Sequence, residues 1–296
     1  MDSLFVGCGY VGRQVAARER DDGGVIEAIV RTDASANRLE AEGIRSTAHD
    51  LESGIPAGIT SAARIVYWFA PPQPEGSVDR RLKAFTESLT DPDEMPARVV
   101  LISTTGVYGD CQGAWVTEDR ARAPQTGRAR RRVDAEDRMR AWCKTHEIPL
   151  AVLRVPGIYG RGKLPLERIR SRRPVLAPEL CPWSNRVHVE DLIASCLAAA
   201  RIKEPATAYN ISDGHPSTMT DFFFQVADAA GLPRPPTLNL EAADKELSAE
   251  MQSYLAESKR IDNTLMREHL GVDVRFPTLQ SGLAEIFHAD RKSSAP

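Results

Sequence analysis

A glycine-rich turn near the N-terminus is the strongest chemical signal in the sequence. Its six residues satisfy the spacing G-x-G-x-x-G and are Gly7, Cys8, Gly9, Tyr10, Val11 and Gly12. A short apolar strand precedes the turn and a helix opens after it, which is the context in which this spacing binds a pyrophosphate. The glycines allow a tight turn, a close approach of phosphate to the backbone, and close packing of helix on strand. Free N–H groups at the helix start then face the phosphates. The turn predicts a dinucleotide site; a turn kept only for chain reversal is the alternative.

The tip of the second predicted strand indicates which dinucleotide fits. Sites for NAD usually carry Asp or Glu about 20 residues beyond the glycines, where the carboxylate binds the adenosine ribose. This chain has Arg31 and Thr32 there, with Arg38 one or two helical turns further on. An arginine donates charge-assisted hydrogen bonds to a 2′-phosphate, which a carboxylate would repel. We expect NADP as the cofactor and NAD as the second choice, unless Arg31 is merely a solvated strand end.

Composition and charge exclude several classes of protein. The 296 residues allow one large α/β domain, or a dinucleotide domain with a smaller lobe. A net charge of −3 gives no basic field that points to nucleic acid or a membrane. No apolar run approaches the roughly 18 residues of a spanning helix, and the first residues do not resemble a signal peptide. The cysteines are never spaced as metal ligands. We expect reduced thiols, no metal site and a cytoplasmic location.

Short β-branched runs alternate with helical stretches through the first half of the chain, which predicts βαβ units and a parallel sheet. Strands are predicted at residues 4–7, 25–31, 64–70, 98–103 and 149–155, with the end of a short third strand at 49–51. After these strands the pattern becomes irregular. We expect a dinucleotide-binding Rossmann core at 1–160. The remainder, 161–296, is expected to form mainly a substrate-binding lobe, with elements at about 186–215 returning to the core.

Further motifs stand after the predicted strands or before a helix. They are Asp50-Leu51, Ala70-Pro71-Pro72, the segment 102–109 (I-S-T-T-G-V-Y-G), the segment 153–160 (L-R-V-P-G-I-Y-G), the segment 186–191 (R-V-H-V-E-D) and the segment 209–214 (Y-N-I-S-D-G). With the glycine turn, this ordered set resembles the short-chain dehydrogenase/reductase superfamily on its extended side. It is most similar to the atypical NAD-dependent epimerase/dehydratase-like group that includes the YeeZ-like proteins. The resemblance implies a doubly wound, seven-stranded parallel Rossmann sheet with a small C-terminal substrate lobe.

The resemblance also implies site residues beyond the glycine turn. It implies cofactor contacts at Arg31, Thr32, Asp50, Leu51, Ala70, Pro71, Arg132 and Pro156, and substrate contacts at Thr105, Tyr159 and Arg186. Arg186 matches an arginine that holds a nucleotide-sugar phosphate in extended relatives; a solvated or salt-bridged arginine is the alternative.

The catalytic residues are where this chain departs from the family, whose chemistry uses a Ser or Thr, a Tyr and a Lys. Thr104 matches the hydroxyl position, but the Tyr-x-x-x-Lys pattern is missing from the helix after the fifth strand. Aligning the family's glutamate on Glu136 puts Arg132 at the lysine position and Arg128 at the tyrosine position. A guanidinium cannot shuttle a proton at neutral pH, although Arg132 can still hold a ribose or a phosphate.

Two tyrosines remain as possible phenols. Tyr159 and Lys163 match the pattern formally, but they lie in a glycine-rich loop after the sixth strand, where two side chains do not share a helical face. Tyr108 follows the fifth strand beside Thr104 and is the better stand-in, unless it is a packing residue at the strand end. A tyrosine near its ordinary pKa needs strong tuning to act as a base.

The leading hypothesis is an NADP-dependent oxidoreductase or epimerase/dehydratase-like enzyme that acts on a carbohydrate-like or other carbonyl/hydroxyl substrate. Thr104 would orient the substrate oxygen, and Tyr108 or a water would carry the proton. A non-catalytic NADP-binding redox sensor or scaffold is the alternative, favoured by the missing Tyr-x-x-x-Lys pair. A sugar-nucleotide-binding protein with other chemistry is a third. A homodimer is also open, since relatives often pair through the helices that flank strands four and five.

Overall fold

The computed structural model describes residues 1–293, and for Glu250 and residues 289–293 it describes the backbone alone. The strands within these residues are β1 (Ser3–Val6), β2 (Ile26–Val30), β3 (Arg45–Ala48), β4 (Ile65–Trp68), β5 (Arg98–Thr104), β6 (Trp115–Val116), β7 (Leu150–Val155), β8 (Gly157–Tyr159), β9 (Val175–Leu176), β10 (Trp183–Ser184), β11 (Arg186–His188), β12 (Tyr209–Asn210), β13 (Ser217–Thr218), β14 (Thr237–Leu238) and β15 (Arg260–Ile261). The α-helices are α1 (Tyr10–Asp21), α2 (Asp33–Ala41), α3 (Arg80–Ser88), α4 (Gly127–Thr145), α5 (Leu166–Arg170), α6 (Val189–Arg201), α7 (Met219–Ala229), α8 (Leu240–Glu246), α9 (Ala249–Leu255), α10 (Thr264–Glu268) and α11 (Leu279–Ser293).

The central sheet has seven strands within residues 1–293, in the order β12-β7-β5-β4-β1-β2-β3. The pairings from β5 through β4, β1 and β2 to β3 are all parallel. From β1 the chain builds outward through β2 and β3, then crosses to the other side of β1 to add β4. This reversal of strand order is the switch point beside which open parallel sheets bind their ligands. The predicted Rossmann sheet is confirmed.

β4 (I-V-Y-W) and most of β1 (S-L-F-V) are apolar runs, as expected for strands of a parallel sheet that is covered on both faces. All four positions of β1 and of β4 are buried. On one face, Trp68 and Leu101 share a core cluster with Phe85 of α3 and Met139 of α4. The sheet therefore holds the ends of β1, β4 and β5 rigidly.

The third strand ends earlier than the sequence predicts. β3 stops at Ala48, so the predicted strand end at residues 49–51 is wrong. Leu51–Ser53 form a short 3-10 helix instead, and the Asp50 side chain accepts a hydrogen bond from the Glu52 N–H at 3.1 Å. Such a local bond from an aspartate to the backbone competes with sheet pairing.

The chain divides into two compact units, and each is built from three segments. Unit 1 comprises Met1–Val107, Pro124–Arg154 and Ile193–Tyr209, and unit 2 comprises Tyr108–Ala123, Val155–Leu192 and the chain from Asn210 onward. Unit 1 contains most of the central sheet. In its described part, unit 2 contains four two-stranded sheets, which pair β8 with β11, β6 with β15, β9 with β14, and β10 with β13.

Two further observations concern the described residues alone. No helix within residues 1–293 combines the length and the apolar character needed to cross a membrane. The five cysteines all lie in this range and all are free thiols, four of them buried.

Candidate functional site

The turn after β1 is shaped by the close approach of β4. Gly7 has φ +88°, and a Cβ at this position would lie 2.4 Å from the Ala70 nitrogen and 2.5 Å from its Cα. The Ala70 N–H donates to the Val6 carbonyl at 2.8 Å, which locks the two strand ends together. Only glycine has both the conformation and the missing side chain that this contact requires.

The next glycines differ from Gly7 in their surroundings. Gly9 is exposed, and a Cβ there would meet no heavy atom within 4 Å. Gly9 is also the N-cap of α1 and provides no side-chain cap. At Gly12 a Cβ would lie 3.1 Å from the Gly7 carbonyl oxygen, so the helix packs tightly on the turn. The start of α1 therefore has uncapped N–H groups with open space before Gly9, which suits a diphosphate.

The three residues between these glycines are partly or fully buried. Cys8 is 5% exposed, and burial raises the pKa of its thiol to about 12, so the thiol is neutral. Tyr10 and Val11 form the first turn of α1, where the Tyr10 carbonyl accepts a hydrogen bond from Gln14 at 3.0 Å. Their contribution to a ligand site would come from the backbone.

The end of β2 presents a free guanidinium. Arg31 is exposed and has neither a hydrogen bond nor an ion pair in the part of the chain that the structure describes. The Thr32 hydroxyl instead caps α2, accepting the Ser35 N–H at 3.3 Å. Asp33 lies in the first turn of that helix. The side chain at residue 31 is thus available to an anionic ligand, and the one at residue 32 is engaged by the helix.

The tips of β3 and β4 are occupied by Asp50, Leu51, Ala70 and Pro71. Asp50 is exposed and Leu51 is buried beneath it. Ala70 is buried against Gly7, whereas Pro71 is exposed and its carbonyl accepts a hydrogen bond from Arg81 at 2.7 Å. These residues and the glycine turn all lie in unit 1, at strand ends on the carboxyl edge of the sheet.

Helix α4 clamps the loop that follows β4. Arg132 donates from Nη1 to the Ala70 carbonyl at 3.3 Å, and Arg131 donates to the Gly76 carbonyl at 2.7 Å. Burial lowers the pKa of Arg132, and the nearby Asp79 carboxylate opposes that shift. The residue at the family's lysine position is therefore a partly buried cation beside Ala70.

β5 ends in hydroxyl residues with different partners. The partly buried Thr104 accepts the Gly106 N–H on its hydroxyl at 3.2 Å, and Thr105 is buried. Ser103 is buried and donates to Glu136 Oε1 at 2.5 Å. Glu136 also forms a salt bridge with Arg154 at 2.8 Å. Sequence reasoning used Glu136 only to align the helix and missed this cluster.

Tyr108 lies in unit 2 and is fully buried. Its hydroxyl donates to Asn210 Oδ1 at 2.7 Å. The Asn210 side chain donates in turn to the Val116 carbonyl at 3.1 Å. The proton of Tyr108 is engaged by Asn210 in this conformation, and the catalytic role of Tyr108 stays a prediction.

Tyr159 and Pro156 also belong to unit 2. Pro156 is partly buried after β7. Tyr159 ends β8 with no exposed surface, and a Cβ at Gly282 would lie 2.3 Å from its hydroxyl oxygen. Burial raises the pKa of Tyr159 above its usual value. Lys163 is an exposed loop residue before α5, so the formal pair is not helical, as the sequence indicates.

Arg186 is a buried cation with unusual partners. It is 7% exposed and donates to the Asn185 carbonyl at 2.7 Å and to the Met219 sulfur at 3.4 Å. Its guanidinium carbon lies 4.8 Å from the centroid of the Phe222 ring. Burial lowers its pKa to about 10, so it stays charged at neutral pH. No carboxylate forms a salt bridge with it among the described residues. The nearby Asp213 carboxyl acts to raise the pKa of Arg186 but forms no salt bridge with it. A buried cation without a direct ion pair is costly, and an anionic ligand would reduce that cost.

His188, two residues further along β11, is neutral. It is 1% exposed, and burial lowers its pKa to about 4. Its ring contacts Phe276 at 4.1 Å between centroids and Tyr159 at 5.1 Å. These contacts describe a packing residue.

Comparison with known proteins relates this arrangement to characterised folds. Protein YeeZ of Escherichia coli (strain K12) is 29% identical over 184 residues, which cover 61% of this chain and 59% of YeeZ. The chain thus matches less than two thirds of that curated relative. A functionally unknown conserved protein from Silicibacter pomeroyi DSS is 30% identical, with a TM-score of 0.84 and coverage of 98% of this chain and 99% of that one.

A more distant structure shows the same fold at low identity. UDP-glucuronic acid 4-epimerase from Bacillus cereus, solved in complex with NAD, superposes with a TM-score of 0.75 over 100% of both chains at 15% identity. The family model described as NAD dependent epimerase/dehydratase family matches residues 7–212. That match begins at the first glycine of the turn and confirms the resemblance drawn from the motifs. The chain belongs to the NAD dependent epimerase/dehydratase family.

Proposed function

We propose that the protein is an NADP-dependent oxidoreductase or epimerase/dehydratase that acts on a small carbohydrate-like substrate bearing an anionic group. The observation that carries the proposal is the uncapped start of α1 behind Gly9, where the backbone is exposed and a diphosphate has room. Backbone N–H groups at a helix start bind phosphate through hydrogen bonds and the helix dipole. NAD is the second choice of cofactor.

The free guanidinium of Arg31 supports NADP. A 2′-phosphate at the tip of β2 would meet a cation that has no other partner in the described residues. Asp33, in the first turn of α2, is the carboxylate that would favour NAD instead. We infer that Arg31 outweighs Asp33, because a guanidinium binds phosphate oxygens in a bidentate manner.

The cofactor supplies the hydride chemistry when it is bound. The residues of this chain bind the cofactor and orient the substrate. The turn amides hold the diphosphate, and Arg132 holds a ribose or phosphate beside the Ala70 carbonyl. Thr104 orients a substrate oxygen. Tyr108 or a water carries the proton, and the Tyr108 hydroxyl must exchange its bond to Asn210 to do so.

The buried charge of Arg186 supports an anionic substrate. The solved relative from Bacillus cereus acts on UDP-glucuronic acid, a nucleotide sugar whose diphosphate is such an anion. We infer a nucleotide sugar, or a sugar phosphate of similar charge, as the substrate class.

A non-catalytic NADP-binding sensor or scaffold is the second candidate. Two observations favour it. Arg128 and Arg132 stand where the family has Tyr and Lys, and the Tyr108 hydroxyl is engaged by Asn210. Such a protein would bind NADP at the same site as the proposed enzyme but would not convert a substrate.

We further propose a cytoplasmic location, because disulfides persist in oxidising compartments and the five cysteines are free thiols. A homodimer is the assembly we expect, and light scattering after gel filtration measures it.

The decisive experiment compares NADP, NADPH, NAD and NADH by thermal shift. A ligand at 100 times its Kd adds about 2.7 kcal/mol of stability, so the NADP forms should raise the Tm most. Turnover is then followed at the nicotinamide absorbance with UDP-sugars, aldehydes and ketones. Activity that Tyr108→Phe abolishes supports the enzyme. Tight NADPH binding without turnover supports the sensor, and no dinucleotide binding overturns both.

A further inference from the structure

Four arginines lie close together in sequence at the end of α5, in unit 2. They are Arg168, Arg170, Arg172 and Arg173, and we call them the arginine turn. Only one carboxylate, Glu167, stands beside them in sequence, whereas the whole chain has a net charge of −3. The last three arginines are exposed, and none of them makes an ion pair within the described part of the chain. The turn is therefore a concentrated patch of positive charge on a protein that is acidic as a whole.

Arg172 occupies a backbone position that favours glycine. Its φ is +50°, in the left-handed region, directly after the C-cap residue Ser171. The Arg172 N–H donates to the Ile169 carbonyl at 2.9 Å, and the Arg173 N–H donates to the Arg168 carbonyl at 3.3 Å. These two bonds form a Schellman motif, whose left-handed residue is usually glycine because a Cβ there is strained. The chain therefore carries an arginine side chain where glycine would be less strained.

The charges of the arginine turn are not balanced by their surroundings. Arg168 is partly buried and donates from Nη2 to the Pro174 carbonyl at 2.9 Å, while its buried Nε has no hydrogen-bond partner among the described residues. Burial lowers the pKa of Arg168, and the positive charge of Arg173 lowers it further. A helix C-terminus attracts cations, but α5 has only five residues, and self-repulsion of like charges costs stability. These features favour a role in attracting an anion.

The arginine turn flanks the proposed anion site at Arg186 within unit 2. The Arg168 guanidinium carbon lies 5.4 Å from the centroid of the Phe223 ring. The Arg186 guanidinium carbon lies 4.8 Å from the centroid of the Phe222 ring, and the two ring centroids are 5.9 Å apart. Even laid end to end, these three distances are well below the Debye length of about 30 Å at an ionic strength of about 0.01 M. At low salt, the field of the turn therefore reaches the surroundings of Arg186.

We propose that the arginine turn steers an anionic substrate toward the binding site at Arg186. The inference rests on the substrate class proposed above. The exposed guanidiniums attract the diphosphate of a nucleotide sugar at long range and raise its local concentration, which increases the association rate. They do not hold the bound ligand, so the dissociation rate depends on Arg186 and its neighbours. Charge thereby favours nucleotide sugars over neutral sugars before either reaches the site.

Association kinetics test this role. The binding of a fluorescent mant derivative of UDP-glucose is followed by stopped flow at ionic strengths of about 0.01 M and about 0.15 M, where the Debye lengths are about 30 Å and about 8 Å. At the lower ionic strength, Arg170→Gln/Arg172→Gln/Arg173→Gln should associate about tenfold more slowly than the wild-type protein. At the higher one the difference should shrink to about twofold. The dissociation rate should stay unchanged at both.

A matched triple variant separates the local field from the net charge of the protein. Lys83→Gln/Lys144→Gln/Lys203→Gln removes the same charge from three exposed lysines of unit 1. Its association rate at low salt should stay within about twofold of the wild-type value. A loss as large as that of the arginine variant would mean that net charge alone acts, and would overturn the role of the turn.

Arg172→Gly tests a single residue of the turn with two readouts. Glycine relieves the left-handed conformation, so the Tm should equal or exceed that of the wild-type protein. The association rate at low salt should nevertheless fall about twofold, because one charge is lost. An arginine with only a structural role would lower the Tm when it is replaced and leave the association rate unchanged.

The remaining outcomes bear on different claims. If the arginine variant associates as fast as the wild-type protein at low salt, the steering is wrong and the proposed function stands. The same holds if its affinity falls through faster dissociation alone, because the arginines would then contact the bound ligand. No binding of UDP-glucose or its derivative, or binding that Arg186→Gln leaves intact, overturns the anion site and the steering with it. If the triple arginine variant does not fold, the two readouts of Arg172→Gly decide.

Discussion

The Glu136 carboxylate and the Arg154 guanidinium form a buried bidentate ion pair, with Nη2 to Oε2 at 2.8 Å and Nε to Oε1 at 3.2 Å. The side chains of Glu136 and Arg154 are 0% and 5% exposed. Ser103 donates to the same carboxylate. Because these residues come from α4, β7 and β5, the cluster fixes the helix that carries Arg132 to the sheet that carries Thr104.

Glu136→Gln should therefore destabilise the protein strongly, since Arg154 would be left as a buried charge without a counter-ion. The expected loss is about 3–5 kcal/mol of unfolding free energy, measured by urea denaturation. The double variant Glu136→Leu/Arg154→Met should lose less than Glu136→Gln alone, because no buried charge remains. Glu241→Gln breaks an exposed pair with Lys245 and is the control, with an expected change below about 1 kcal/mol. Equal losses for Glu136→Gln and Glu241→Gln would contradict the prediction.

Substitution of the first two glycines of the turn by alanine should give opposite results. Gly7→Ala places a Cβ against the Ala70 backbone at 2.4 Å and forces a residue with φ +88° into a strained conformation. We expect a large loss of stability or no folded protein. At Gly9, where φ is −90° and the Cβ has open space, alanine should fold normally and weaken dinucleotide binding. Circular dichroism and calorimetry with NADPH measure the two effects. If Gly9→Ala binds NADPH as tightly as the wild-type protein does, the diphosphate does not bind at this turn.

Arg31→Ala should lower the affinity for NADPH and leave the affinity for NADH unchanged. A hydrogen bond to a charged group contributes about 1.5–3 kcal/mol, which corresponds to roughly a 10- to 150-fold weaker Kd. Arg234→Ala, which removes an exposed arginine paired with Asp228, is the control and should change neither affinity. A wild-type protein that binds NADH more tightly than NADPH would refute the role of Arg31.

His188 should make the protein less stable as the solution becomes acidic. Its pKa is about 4 in the folded protein, against an ordinary value of 6.5 for an exposed histidine. Between these two pH values, His188 is therefore protonated in the unfolded chain and neutral in the folded one. The contribution of His188 to stability is present above pH 6.5 and is lost as the pH falls toward 4. His188→Gln should reduce the fall in unfolding free energy between these values, and His215→Gln, at an exposed position, should not. If the unfolding free energy of His188→Gln depends on pH as that of the wild-type protein does, His188 is not held in its neutral form by the fold.

The sheet and the glycine turn could be predicted because their signals are local. Strands buried on both faces are apolar along their length, and the G-x-G-x-x-G spacing has a meaning only between a strand and a helix, where Gly7 to Gly12 stand. The boundary at β3 could not be predicted, since the turn that follows it, in which the Asp50 side chain accepts the Glu52 N–H, depends on one local hydrogen bond.

The charged clusters were beyond prediction for a different reason. Glu136 and Arg154 lie 18 residues apart in sequence, and Asp213 and Arg186 lie further apart still. Their burial and the absence of a salt bridge at Arg186 depend on how several segments pack. The family resemblance identifies Arg186 as a candidate site residue, but the sequence does not predict which groups surround its charge.

The three-segment composition of each unit has a consequence for how the protein is made. Unit 1 needs residues up to Tyr209 before its last segment exists, so a nascent chain cannot finish this unit until Tyr209 has left the ribosome. In the meantime the segments that belong to unit 2 have already emerged without their own later partners. A truncation before Tyr209 therefore removes part of both units, whereas one after Tyr209 leaves unit 1 with all three of its segments, and partly paired chains of this kind expose surface that favours aggregation.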